Sequence, residues 1–168
     1  MRSPFITICL LCALSCTASA QQNLPKWVSH IHEFDFWLGE WEVYTYDTDT
    51  LVGYSHIMSE VDSVVVYENY RGANSRFQGK SLNKYNPATD LWEQFWVDNS
   101  GLSLSLAGKA EPGKMVLSNA PGDAGSQQYN RITWLALPDG SVRQTWESSQ
   151  DSSTWLVIFD GHFRPNPD

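Results

Sequence analysis

Turn chemistry interrupts this chain so often that an antiparallel meander is nearly the only architecture its segments can build. From Gly39 onward apolar and polar side chains alternate with period two, and clusters of Asn, Asp, Pro, Gly and Ser cut the alternation repeatedly. The pattern predicts ten strands: Glu40 to Asp47, Gly53 to Val61, Val64 to Arg71, Gln78 to Tyr85, Leu91 to Asp98, Leu102 to Ala110, Lys114 to Ser118, Tyr129 to Leu137, Val142 to Ser148 and Thr154 to Arg164. Asn86-Pro87-Ala88-Thr89-Asp90 and Pro138-Asp139-Gly140 are the strongest turn signals, because proline fixes φ and Asp-Gly supplies the left-handed backbone of a tight hairpin. Nearly every connection is short, and the longest loop is Asn119 to Ser126. Short connections join sequence neighbours in antiparallel fashion, whereas jelly rolls and Greek keys need long crossovers. A meander of this many strands removes its exposed edges most economically by closing on itself. The expected fold is therefore all-β, an up-and-down antiparallel barrel of about ten strands.

The N-terminus has a different character. Arg2 precedes an uncharged apolar run, Phe5 to Leu14, which ends in Ala18-Ser19-Ala20, the pattern of a secretory signal peptide cleaved after Ala20. Lipoprotein processing at Cys16 is the alternative, although Ala13-Leu14-Ser15 places leucine one residue away from where that signal wants it. The run is too short to span a bilayer, which takes roughly 20 apolar residues. Residues 1–20 thus read as a signal and residues 21–168 as one domain, since the remaining 148 residues suffice for one core but not for two. Cys9, Cys12 and Cys16 all lie in the signal, so the mature domain has no disulfide and no cysteine metal ligand, and a bacterial periplasm or the exterior is the expected location. Without Arg2, ten basic residues face nineteen acidic ones, a net charge of −9, which argues against binding nucleic acid or an anionic membrane through bulk charge.

Leu24, Trp27, Val28, Ile31, Phe34 and Leu38 recur at spacings of three and four after Pro25, predicting a short amphipathic helix or two irregular turns. This segment runs into Phe34-Asp35-Phe36-Trp37-Leu38-Gly39-Glu40-Trp41, where the period changes to two. A Gly-x-Trp at the entrance to a first strand resembles the opening of calycin-type barrels, the lipocalins and their relatives. Later motifs are more specific: Tyr85-Asn86-Pro87-Ala88-Thr89, Trp96-Val97-Asp98-Asn99-Ser100-Gly101, Asn130-Arg131-Ile132-Thr133-Trp134, Pro138-Asp139-Gly140-Ser141-Val142-Arg143-Gln144 and Thr154-Trp155. Together they are similar to a family of exported bacterial domains of unknown function with lipocalin-like barrels. The resemblance spans about residues 34 to 164 and implies a fold and an export address, with the N-terminal segment plugging one mouth, but no reaction or ligand. Where that family often places an aromatic after the Asp-Gly pair of the last strand, Asp160-Gly161 here, this chain has His162.

Eight tryptophans and seven tyrosines supply the candidate site. Trp92, Trp96, Trp134 and Trp146 are the aromatic candidates for a cavity lining, with Arg131 and Arg143 as a possible clamp for a carboxylate or, alternatively, surface partners of Glu93 or Glu147. On the fifth strand Trp92, Gln94, Trp96 and Asp98 share one face and Leu91, Glu93, Phe95 and Val97 the other. Because both faces carry aromatics, the sequence leaves open which one faces the lumen, and whether the lumen is a cavity or is filled by its own side chains. Trp37, Gly39 and Trp41 are assigned to structural closure, with Arg164 stacking on Trp41.

No cofactor and no metal are expected. His162 on the last strand is the one candidate haem ligand, but no second histidine supports it. His30 and His32 beside Glu33 and Asp35 lack a recognised zinc spacing. Ser149 to Trp155 resembles an Asp-box hairpin, a structural turn. The leading expectation is a binder of a small apolar or amphipathic molecule, with the oligomeric state open. The alternatives are a carbohydrate-binding or protein-interaction module with surface tryptophans, and an enzyme using cavity Arg and Glu side chains, which would need a buried carboxylate beside a basic residue.

Overall fold

The computed structural model describes residues 25–119 and 127–166. The signal-peptide and Cys16 expectations and most of the Asn119 to Ser126 loop lie outside the described residues.

All ten expected strands are present, with ends within two residues of the sequence pattern: β1 Gly39–Thr45, β2 Leu51–Glu60, β3 Val65–Gly72, β4 Gln78–Asn86, β5 Leu91–Asp98, β6 Ser103–Glu111, β7 Lys114–Asn119, β8 Tyr129–Ala136, β9 Val142–Ser149 and β10 Leu156–Pro165. Each pairs antiparallel with its sequence neighbours, and β1 also pairs with β10, Val43 opposite Phe163, so the meander closes into a barrel with no free edge.

The turns follow from their residues. In the β8–β9 hairpin Gly140 N–H donates to the Leu137 carbonyl at 3.1 Å and Gly140 sits at φ +83°, a turn closed by a left-handed glycine. The β2–β3 turn holds three non-glycine residues in that region, Val61 at φ 52°, Asp62 at φ 52° and Ser63 at φ 69°. In the β9–β10 turn Asp151 accepts from the main-chain N–H groups of Ser153 and Thr154 at 2.9 and 2.8 Å, so the Ser149 to Trp155 stretch is a structural turn. These bonds hold the Asp151 carboxyl well below the usual carboxylate range.

The N-terminal segment forms two 3-10 turns, Lys26–His32 and Asp35–Trp37. Phe34 and Trp37 are fully buried in one end of the barrel. Their rings are 5.0 Å apart, and Phe34 meets Trp92 and Trp134 edge-on at 5.8 and 5.2 Å. Trp41 Nε1 donates to the Trp37 carbonyl at 2.9 Å, and Trp92 Nε1 donates to Glu33 Oε2 at 2.9 Å. The plug is thus joined to the wall by aromatic packing and by the indole hydrogen bonds of Trp41 and Trp92, while Trp37 Nε1 and Trp134 Nε1 are buried without a hydrogen-bond partner.

Candidate functional site

Burial settles which strand faces line the lumen. On β5, Trp92 and Gln94 are buried while Phe95 and Val97 are 48% and 40% exposed, so the Trp92, Gln94, Trp96, Asp98 face points inward. Trp92 belongs to the plugged end. Trp96 and Asp98, one strand turn further along, belong to the other end, which is not filled.

A cavity of about 220 Å³ opens there, bordered by Glu68, Tyr70, Phe77, Gln94, Trp96, Asp98, Leu104, Ile132, Gln144, Trp146, Ile158 and Phe159. Two local features make the space. Gly79 and Gly53 leave room for rings from neighbouring strands: a Cβ on Gly79 would come within 2.0 Å of Trp96 Cζ2, and one on Gly53 within 2.2 Å of the Tyr70 oxygen. At the start of β10 a bulge between Val157 and Phe159 inserts Ile158 opposite β9, which brings both Ile158 and Phe159 to the cavity. A second, more open concavity of about 550 Å³ lies against the wall of β4 to β7, among Leu82, Phe95 and Ser105.

The cavity has two chemical sides. Leu104, Ile132, Trp146 and Phe159 present hydrocarbon and aromatic surface. Across from them β2 to β5 carry a buried polar chain. Ser55 Oγ donates to Glu68 Oε1 at 3.0 Å and Ser81 Oγ to Glu68 Oε2 at 3.1 Å. Asn83 Nδ2 donates to Ser81 Oγ at 3.0 Å and to the Val66 carbonyl at 2.9 Å, and Gln94 Nε2 donates to Asn83 Oδ1 at 2.8 Å. Glu68 is only 3% exposed, and burial raises its carboxyl to about 7 against the pull of the two serine hydroxyls. Burial and the nearby Glu68 push the Tyr70 phenol up to about 12. Asp98 behaves oppositely: burial works to raise it, but bonds from Ser100, Trp96 and the Ser100 and Leu102 main chain hold it below its ordinary value.

Of the residues singled out from sequence, Trp96 and Trp146 line this cavity, whereas Trp92 and Trp134 are buried against Phe34 in the plug. Arg131 and Arg143 do not enter it. Arg131 bonds Glu147 at 2.9 Å and lies over Trp155, and Arg143 bonds Asp160 at 2.6 Å and lies over Tyr46. Period two requires this: Arg131 has the opposite parity to Trp134, and Arg143 to Trp146, so each arginine shares a strand with a lumen tryptophan but not its face. The carboxylate clamp is thereby corrected to two ion pairs on the outer wall. Arg164 stacks on Tyr44, 4.4 Å from the ring centroid, and bonds Asp49, so the expected pairing with Trp41 is also corrected. Trp41 instead meets Phe163 edge-on at 6.4 Å, and a Cβ on Gly39, which sits at φ +142°, would come to 3.6 Å from the Trp41 ring.

His162 lies between the inward-facing Gly161 and Phe163 and so points away from the lumen. Its Nδ1 accepts from Arg164 Nε at 3.2 Å, which leaves Nε2–H to donate to Ser141 Oγ at 2.8 Å. Burial and the Arg164 charge lower its affinity for a second proton. His30 and His32 diverge onto separate partners, Glu33 and Asp35, each at 2.8 Å. Among the described residues no group of three or more His, Cys, Asp or Glu side chains could hold a metal ion, and no helix is long and apolar enough to cross a membrane.

The residue that the sequence pattern does not single out is Glu68, one of seven strand glutamates and without distinguishing spacing. A signal was present one strand away. On β4 Lys80 and Lys84 alternate with Gly79, Ser81, Asn83 and Tyr85, and since lysines face water the small polar set faces inward, where its hydrogen bonds need a partner.

No protein-family model matches the chain, and no curated protein sequence matches it.

Proposed function

We propose that this barrel binds a small amphipathic molecule in the cavity at its unplugged end, in the exported compartment to which its N-terminal sequence points. The supporting observation is that the lumen is divided. Phe34, Trp37, Trp92 and Trp134 fill one end, while the other keeps about 220 Å³ bordered by both apolar and polar side chains. Sites for drug-sized ligands run from about 300 to 1,000 Å³, and a dry cavity of about 150 Å³ holds benzene. The occupant is therefore the size of one substituted ring or a short branched chain. The resemblance to exported lipocalin-like barrels agrees with this reading.

All eight tryptophans are buried or half-buried, so a flat exposed indole platform for sugar stacking has no residues to build it. The enzymatic alternative meets one of its two conditions: Glu68 is a buried carboxylate with a raised pKa, but none of the cavity's lining residues is Lys, Arg or His. The binding reading is tested with a panel of monocyclic and short-chain compounds, read by thermal shift and tryptophan emission. Trp96 and Trp146 are in the wall, so ligands of the right size should raise the melting temperature and change emission together. A panel that moves neither signal contradicts the reading.

A further inference from the structure

The polar inventory of the cavity is one-sided. Most of its hydrogen-bond donors are occupied: Tyr70 Oη donates to the Val52 carbonyl at 3.3 Å, Trp96 Nε1 to Asp98 Oδ2 at 3.1 Å, Trp146 Nε1 to Asn130 Oδ1 at 3.0 Å and one Gln94 Nε2–H to Asn83 Oδ1 at 2.8 Å. Its acceptors are not. Gln94 is 4% exposed, yet its Oε1 has no hydrogen-bond partner, although a buried amide oxygen ordinarily finds one. The orientation of that amide is forced. The Val66 carbonyl can only accept, so it fixes Asn83 Nδ2 toward itself. Asn83 Oδ1 then faces Gln94 and takes its Nε2, which leaves Oε1 as the free atom. The same chain ends at the Glu68 carboxylate, which also borders the cavity, as does Asp98. Two lining side chains have a donor to spare, the second N–H of Gln94 Nε2 and the amide of Gln144, which can turn either way. Among the described residues no lining side chain carries positive charge, and the aromatic side chains of Tyr70, Phe77, Trp96, Trp146 and Phe159 border the space.

A site with unsatisfied acceptors, carboxylates and aromatic faces is complementary to a ligand that donates hydrogen bonds and carries positive charge. We propose that the cavity selects small organic amines, with the ammonium group at Glu68 and Gln94 Oε1 and the hydrocarbon body against Leu104, Ile132, Trp146 and Phe159. The inference rests on the cavity being the ligand site and adds the chemical class of the ligand. It also gives the polar chain a function. Ser55, Ser81 and Asn83 hold Glu68 and the Gln94 amide in place before a ligand arrives, so binding does not have to order them.

The test is calorimetric titration of the purified protein, in mildly alkaline buffer, with four probes of matched shape: 2-phenylethylamine, 2-phenylethanol, 3-phenylpropanoate and propylbenzene. The expected order is amine first, at least tenfold tighter than propylbenzene, then the alcohol, with the carboxylate weakest. Glu68→Gln should remove the advantage of the amine over the alcohol while leaving propylbenzene affinity unchanged. Gln94→Met, which removes the free acceptor, should lower amine affinity relative to propylbenzene affinity, and thermal melts of both variants establish that they fold. Propylbenzene binding as well as the amine, or the carboxylate binding best, would overturn the amine proposal while leaving the cavity as a ligand site. Failure of all four probes would overturn both.

Discussion

Gln94 Nε2 donates to Asn83 Oδ1 at 2.8 Å across β4 and β5, and this one bond ties the open cavity to a buried carboxylate four side chains long in polar linkage. From Gln94 the linkage runs through Asn83 and Ser81 to Glu68. A core of this barrel that looks aromatic from its composition is therefore apolar only at the plugged end and on one wall of the other.

Glu68 should make the barrel less stable as the pH rises. Its carboxyl ionises near 4.5 when unfolded and at about 7 when folded, so between those values the folded state binds more protons. The stability this confers is fully present below pH 4.5 and is lost as pH rises through 7. Glu68→Gln keeps the shape and removes the titration. It is expected to change stability little in acid and to stabilise by on the order of 3 kcal/mol at about pH 8. Urea unfolding of both proteins across this range checks the sign, and a variant that is less stable at alkaline pH contradicts it.

Gly79→Ala should be felt at the ligand cavity. The added Cβ would lie 2.0 Å from Trp96 Cζ2, so the indole or the strand must shift. Overpacking of this kind costs about 1–3 kcal/mol. Thermal melts should show the loss together with a shift in tryptophan emission, and an unchanged emission spectrum would mean that Trp96 does not rest on this glycine.

Val61 is a β-branched residue at φ 52° and is 69% exposed, so it carries backbone strain without contributing much packing. Left-handed backbone costs a residue with a Cβ roughly 1–2 kcal/mol, and asparagine visits it readily. Val61→Asn should stabilise by about 1 kcal/mol, a rise of ~2–4 °C in melting temperature for a domain of this size. A melting temperature that stays the same or falls contradicts the strain.

Phe34→Ala should be the most damaging of these substitutions. Phe34 is fully buried and its ring contacts Trp37, Trp92 and Trp134, so truncation opens the centre of the plug. The expected loss is about 3–5 kcal/mol. By contrast Arg131→Ala and Arg143→Ala, which remove half-exposed outer-wall pairs, should each cost less than about 1 kcal/mol and leave ligand affinity unchanged. Denaturant titrations rank the three, and an arginine variant as damaging as the plug variant would contradict the placement.

The strands were legible in the sequence because turn residues and period two report local backbone geometry, which tertiary packing did not override here. Leu104 and Leu106, alternating with Ser103 and Ser105, are buried as that pattern implies. The plug was legible from the spacing of three and four in its segment, on which Phe34 lies, and from Trp37 beside the Gly39-x-Trp41 closure. The site was less so. Trp92 and Trp96 share a face of β5, but one closes the barrel and the other borders the cavity, a difference set by height along the axis, which alternation does not encode. Arg131 and Arg143 lie on neighbouring strands, which suggests a clamp, but their parity puts them outside, where Arg131 takes the surface partner Glu147 that the sequence offers as the alternative. Arg164 is separated from Trp41 by facing: Glu42, not Trp41, is its partner in register on β1. Glu68 became visible only when β2 and β4 supplied Ser55 and Ser81 to its two oxygens.

The most direct test of the central claim is calorimetric titration of 2-phenylethylamine into the wild-type protein and into Leu104→Trp, which places an indole in the cavity. Leu104 is buried on the cavity's apolar side, opposite Trp96 on β5. The wild type should show one saturable site, and binding should be lost in a Leu104→Trp variant whose melting curve shows that it is folded. Equal binding by the two proteins, or no binding by the wild type, would contradict that claim.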